Sequence, residues 1–234
     1  MSSTLLNSLP SETKSTMANA IQQAIKDGLQ AFFENKPLVT NNGKPYIAWD
    51  CINSSLTNQT CLESHISKKG AWQFVLLFDP RSNFLFSIMR KKRFDMLYKS
   101  KNKAQPKYIQ DLLVLNKKLQ ARSSQTDCFG IQSDSSEAAL DTALQKLIEN
   151  FNAGKDINNI HHALIVFDYE GTDITSLNLY VLDRNFNRVE EENLLDLINI
   201  TPIMESVPNK DESPSLTLTP YALKIREQQK TEHG

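Results

Sequence analysis

Two dense apolar runs flanking a turn, Trp72–Phe78 and Phe84–Met89, are echoed by a second pair, His161–Tyr169 and Leu177–Val181. Runs this short, and this rich in aromatic and β-branched residues, favour strand over helix. They restrict the chain to folds with a sheet at the centre. In the first pair Trp72, Phe74, Leu76 and Phe78 share one face while Val75 and Leu77 take the other, as in a strand covered on both sides. Asp79-Pro80-Arg81-Ser82-Asn83 supplies turn chemistry, so the pair reads as a hairpin with a five-residue connection. In the second pair, Ala163, Leu164, Ile165, Val166 and Phe167 precede the turn Glu170-Gly171-Thr172-Asp173. Leu177, Leu179 and Val181 then alternate with Asn178 and Tyr180, which predicts a second hairpin. A further short strand is expected around Tyr46–Asp50.

Helical periodicity fills the intervals. Met17, Ile21, Ala24, Ile25, Leu29, Phe32 and Phe33 recur at three- and four-residue steps and predict a helix from Glu12 to Phe33, with Ser11 as its cap. Pro37 and Asn41-Asn42-Gly43 end it. Shorter helices are expected at Lys92–Lys99 and, behind Pro106, at Lys107–Ala121. After the polar stretch Ser123–Ser136, Asp134 and Glu137 stand at capping-box spacing before Leu140, Ala143, Leu144, Leu147, Ile148 and Phe151, with Gly154 beyond. Leu194, Leu195, Leu197 and Ile198 predict an acidic-capped helix at Glu190–Ile200. Strands in pairs without βαβ alternation point to an α+β fold: a mainly antiparallel sheet built from two hairpins, packed with about five helices. Residues 1–200 read as one domain with an N-terminal helix. Beyond Thr201 the punctuation by Pro202, Pro208, Pro214 and Pro220 among Ser, Thr and acids predicts a mobile or surface-laid tail over 201–234.

Composition removes several function classes. Only 7 glycines occur, and neither dinucleotide nor P-loop phosphate-binding signature is present, so nothing in the sequence names a cofactor. Three cysteines, Cys51, Cys61 and Cys128, are the wrong arithmetic for a disulfide framework and fit reduced thiols in a cytoplasmic protein. The spacing of Cys51, Cys61 and His65 matches no zinc template, so no metal is assigned. No apolar run has signal-peptide or membrane-spanning length, and no membrane partner is expected.

Charge is segregated along the chain. Between Arg90 and Arg122, eleven basic residues (Arg90, Lys91, Lys92, Arg93, Lys99, Lys101, Lys103, Lys107, Lys117, Lys118 and Arg122) face Asp95 and Asp111, a net of +9 in a chain whose total is −1. Between Asp156 and Glu212 twelve acids face three bases. Interleaved with Phe94, Tyr98 and Tyr108, and centred on Asn102 in the Ser100–Gln105 connection, the basic segment is a candidate surface for nucleic acid, with rings to stack on bases. An acidic protein surface is the alternative partner. The same residues also fit solvated helix faces, or charges neutralised within the fold or across a homodimer.

The rival chemistry is divalent-metal phosphoester cleavage by Asp168, Glu170 and Asp173, with Asp183 after the next strand and His161 or His162 at the other end. Against it, acids belong in hairpin turns for backbone reasons, and adjacent strand residues His161 and His162 point to opposite faces. The strand Ser87-Ile88-Met89 lacks the acid and lysine of an Asp…Glu-x-Lys nuclease, and no G-x-S-x-G occurs. The leading reading is therefore a non-enzymatic binding or regulatory protein.

The run Gly70-Ala71-Trp72-Gln73-Phe74-Val75-Leu76-Leu77-Phe78-Asp79, the returning strand with Met89-Arg90, and Tyr108-Ile109 and Asn116 resemble an uncharacterised bacterial family without assigned activity, over roughly residues 45 to 200. The resemblance implies no reaction. It implies a bacterial or phage-associated accessory or defence-related factor that binds proteins or nucleic acid.

Overall fold

The computed structural model describes residues 4–35, 40, 42–69, 72–101, 105–119 and 159–198. Contacts divide the chain into Met1–Asn199 and Ile200–Gly234, and everything described belongs to the first unit. The expected helix behind Asp134, its polar lead-in and the expected tail after Thr201 lie outside the described residues.

Alternation does produce a sheet, with six strands in sequential order: β1 (Glu63–Lys69), β2 (Trp72–Asp79), β3 (Phe84–Arg90), β4 (His161–Glu170), β5 (Asp173–Leu182) and β6 (Arg188–Asn193). Neighbours pair antiparallel except β3 and β4, which run parallel from Phe84↔His161 to Arg90↔Phe167. The molecule is α+β, two three-stranded antiparallel meanders joined along one parallel seam. Asp79 pairs directly with Phe84, so Pro80–Asn83 makes the turn, shorter than the expected connection. The Asp79 carboxylate accepts from the Arg81 N–H and the Ser82 hydroxyl, and Asn83 takes φ of 58°.

The two sides of the sheet bury different partners. On one side Val75, Leu77, Phe84, Phe86, Ala163, Ile165, Phe167, Leu177, Leu179 and Val181 pack against the N-terminal helices. Of these, α1 (Ser11–Gln23) runs through a π-helical stretch, Ala24–Leu29, into α2 (Gln30–Asn35). Met17, Ile21, Ile25 and Leu29 form its buried stripe. Pro10, not Ser11, takes the cap position and makes no side-chain cap bond. Gly28 lies so close to the next helix that a Cβ there would meet the Cys51 Sγ at 3.3 Å.

Helix α3 (Lys44–Gln59) replaces the strand expected at Tyr46–Asp50. Pro45 in its first turn suits a helix start, and Ala48, Ile52, Ser55 and Leu56 are buried at helical spacing. The local aromatic signal of Tyr46 and Trp49 belongs to its exposed and half-buried flank.

On the other side, Leu76, Phe78, Leu85, Met89, Leu164, Val166, Tyr180 and Leu182 are covered by α4 (Lys91–Lys99) and α5 (Lys107–Leu113) with its one-turn continuation Val114–Asn116. The helix expected to reach Ala121 gives way to a turn at Lys117. Asn116 is fully buried and accepts from the His162 N–H while donating to the carbonyls of His162 and Leu182.

The helix expected at Glu190–Ile200 is instead edge strand β6 followed by a single 3-10 turn, Leu195–Leu197. Its acids serve the tertiary fold. Glu190 accepts from the N–H groups of Leu5 and Leu6 at the start of an N-terminal 3-10 turn, and Glu192 holds the buried Lys14 ammonium at 2.7 Å.

Candidate binding surface around helix α4

Helix α4 reads KKRFDMLYK, and its sorting by burial follows from a nine-residue helix lying on a sheet. Phe94 and Leu97 point inward. The Phe94 ring stacks on Tyr180 at 4.8 Å and lies 5.7 Å from both Tyr98 and Phe186. Phe186 is fully buried with φ of 63°, a left-handed conformation that a bulky residue adopts only when its surroundings hold it. The holding group is the buried Asp183 carboxylate, which accepts from the N–H groups of Asn185 and Asn187 and from the Asn187 side chain.

The expected basic residues separate into two sets. Arg90, Lys91 and Lys101 are engaged within the fold. Arg90 donates to Asp168 and lies over the rings of Tyr169, at 4.4 Å, and Phe167. Lys91 pairs with Asp95 one turn on, and Lys101 bonds Asn187 at 2.8 Å beside the Tyr98 ring. Lys92 and Lys99 are exposed on the outer face with Met96 between them, and Arg93, half-buried, reaches the Met96 sulfur at 3.9 Å. Met96 keeps 50% of its surface exposed. Lys107 is exposed at the start of α5, and Lys103, Asn102 and Arg122 lie outside the described residues.

Lys117 and Lys118 are exposed beyond α5, where the Lys118 charge is felt by His161. The rings expected to stack on bases are occupied. Phe94 is buried, Tyr98 is covered by Phe94, Lys101 and Arg188, and Tyr108 is half-buried beside Phe74.

One basic residue that sequence reading passed over completes the cluster. The Arg188 guanidinium lies 4.8 Å from the rings of both Tyr98 and Tyr180 and donates to Glu191 at 3.1 Å. Burial first, and a hydrogen bond to Glu191 second, push the Tyr180 hydroxyl up to about 12. No local pattern could have signalled this. It joins α4 to β5 and β6 across some ninety residues.

The first turn of α4 carries Lys91, Lys92 and Arg93 and no acid, and Arg90 makes no side-chain cap bond. Cations at that end oppose the helix dipole. Lys91 is compensated by its pair with Asp95, whereas the charges of Lys92 and Arg93 work against the dipole.

The carboxylates of the rival chemistry are placed apart in role. Asp168 takes the Arg90 bond and accepts from its neighbour's N–H, while Glu170 and Asp173 are exposed partners at the hairpin end, flanking Gly171. Asp183 is committed to its own loop. Among the described residues no three His, Cys, Asp or Glu are grouped to hold a metal ion.

The residues matched by the family model described as a family of unknown function, DUF5986, are 6–234. The chain belongs to this family. No curated protein and no solved structure matches it. The match spans the whole of α4, its aromatic anchor and the sheet beneath, and no helix among the described residues is long and apolar enough to cross a membrane.

One arrangement in this DUF5986 chain superficially suggests nucleophilic catalysis. Ser87 and His162 share a hydrogen bond of 2.9 Å between β3 and β4. His162 is fully enclosed, its Nδ1 has no hydrogen-bond partner among the described residues to orient it, and burial lowers its pKa to about 3. A triad needs that third group and access to substrate. The pair fills a polar position in the core. His161, on the opposite face, is half-buried against the Phe84 ring, and burial followed by the Lys118 charge lowers its pKa.

Proposed function

We propose that the chain is a non-enzymatic binding protein that docks an acidic protein surface through the outer face of α4. The observation that carries this is the exposed stripe Lys92, Met96, Lys99, spaced four and three residues apart, with Arg93 beside the methionine. An apolar, adaptable side chain ringed by cations suits a partner that presents carboxylates around an apolar spot. A phosphate backbone would leave Met96 without a counterpart. The commitment of Phe94, Tyr98 and Tyr108 to internal packing also counts against stacking on nucleic acid. The carboxylate reading centred on Asp168, Glu170 and Asp173 draws no support, because the Asp168 side chain is held by Arg90.

The test measures fluorescence anisotropy of two probes, an acidic amphipathic helical peptide with a central leucine and a single-stranded oligodeoxynucleotide. The reading expects the peptide to bind, its affinity to fall steeply with salt, Lys92→Glu with Lys99→Glu to abolish it, and Met96→Ala to weaken it several-fold. Tighter binding of the oligonucleotide, indifferent to Met96→Ala, would overturn it.

A further inference from the structure

We propose that β1 is a self-recognition edge, along which two copies of the chain pair antiparallel about a two-fold axis at Ile66. Among the described residues β1 has a single strand partner, β2, so its outer edge offers backbone donors and acceptors to another strand. Edge strands commonly deter such pairing with a charge at mid-strand. Here the middle residue is Ile66, 62% exposed, and the charges stand at the ends.

The order of chemistry along the strand is self-complementary. It reads Glu63-Ser64-His65-Ile66-Ser67-Lys68-Lys69, with an acid at the start and lysines at the close. Antiparallel pairing of two copies brings the acidic end of each beside the basic end of the other, whereas parallel pairing would set like charges together. Centring the pairing on Ile66 places it against the partner's Ile66, His65 against the partner's Ser67, and Ser64 against the partner's Lys68. This register keeps Ile66 on the face it shares with its cross-strand neighbour Val75, so the two sheets join with their α3-covered sides continuous. An isologous contact requires that one surface complement itself, and this strand does. The surface is separate from α4, which lies over β3, β4 and β5.

Sedimentation over a concentration series, together with cross-linking, tests the pairing. The parent chain is expected to approach twice its 26.6 kDa mass as concentration rises. Ile66→Lys, which opposes two cations at the axis, should hold it at the single-chain mass, with the same unfolding midpoint as the parent at low concentration, where the parent is also a single chain. In a background with the native cysteines changed to alanine, Ile66→Cys should form an intersubunit disulfide under mild oxidation, since directly opposed Cα atoms sit about 4.5–5.5 Å apart. Ser64→Cys and Lys68→Cys should cross-link to each other when mixed but not each to itself. A single-chain mass at all concentrations, a dimer indifferent to Ile66→Lys, or Ser64→Cys cross-linking to itself as readily as Ile66→Cys would overturn the proposal. Acidic-peptide binding at α4 is read independently in the same variants.

Discussion

The two sides of the sheet are built by different means. On one, the helical run Ser11–Asn35 and the sixteen-residue α3 press aliphatic stripes onto apolar strand residues, with polar groups paired singly, as at Lys14 with Glu192 and the buried Ser55 with the Ala20 carbonyl. On the other, α4 and α5 span nine and seven residues and bury few side chains each. That side is fixed instead by stacked rings, by Asn116 bridging two carbonyls, and by the Asp183 loop that sets Phe186. Helices this short gain little from propensity, so they hold only where tertiary groups clamp them. The clamped side also carries the outward cations. The first side is a scaffold, and the second holds a short helix rigidly enough to present a charged face.

If that contrast is right, single polar substitutions should matter more beneath α5 than on the scaffold side. The largest effect is expected from Asn116→Ala, which strands one buried N–H and two buried carbonyls and should cost about 4 kcal/mol in chemical denaturation, against about 1 kcal/mol for Ser55→Ala. Equal losses would erase the distinction.

A second prediction uses pH. His162 has a folded pKa of about 3, below its unfolded value of 6.5, so the unfolded chain takes up the proton first as pH falls. Stability is unaffected above that unfolded value and declines between pH 6.5 and 3, by about 2 kcal/mol at pH 5. Comparing His162→Gln with the parent at pH 7 and 5 isolates the contribution. The variant should show the shallower decline, and parallel declines would contradict the burial of the ring.

The smallest effect concerns the half-exposed Arg188. Removing its guanidinium with Arg188→Ala should cost about 1 kcal/mol, because the rings of Tyr98 and Tyr180 stay packed on Phe94 without it. A loss of several kcal/mol would make Arg188 a primary clamp.

Much of the centre of the fold is visible in the sequence, because β2 to β5 are covered on both faces and their apolar density carries the signal. The two edges are not. β1 and β6, ESHISKK and RVEEEN, are polar strands whose pairing is decided by their neighbours, and Leu194, Leu195, Leu197 and Ile198 at helical spacing misdirected the reading of β6. The strand expected at Tyr46–Asp50 likewise left out Pro45, which marks the start of α3. Charge segregation could be counted, but which cations face outward could not. That depends on Asp168 meeting Arg90 and Asn187 meeting Lys101, contacts spanning 78 and 86 residues.

The central claim is that the outer charges of α4 serve a partner and not the fold. Its most direct measurement is the unfolding free energy and acidic-peptide affinity of one variant, Lys92→Glu with Lys99→Glu. Reversing Lys92 places an acid in the first turn, where the dipole favours it, and reversing Lys99 places one in the last turn, where the dipole opposes it, so the two offset and stability should hold to within about 0.5 kcal/mol while peptide binding is lost. A variant that unfolds more easily yet still binds the peptide would show those charges to be structural and contradict the account.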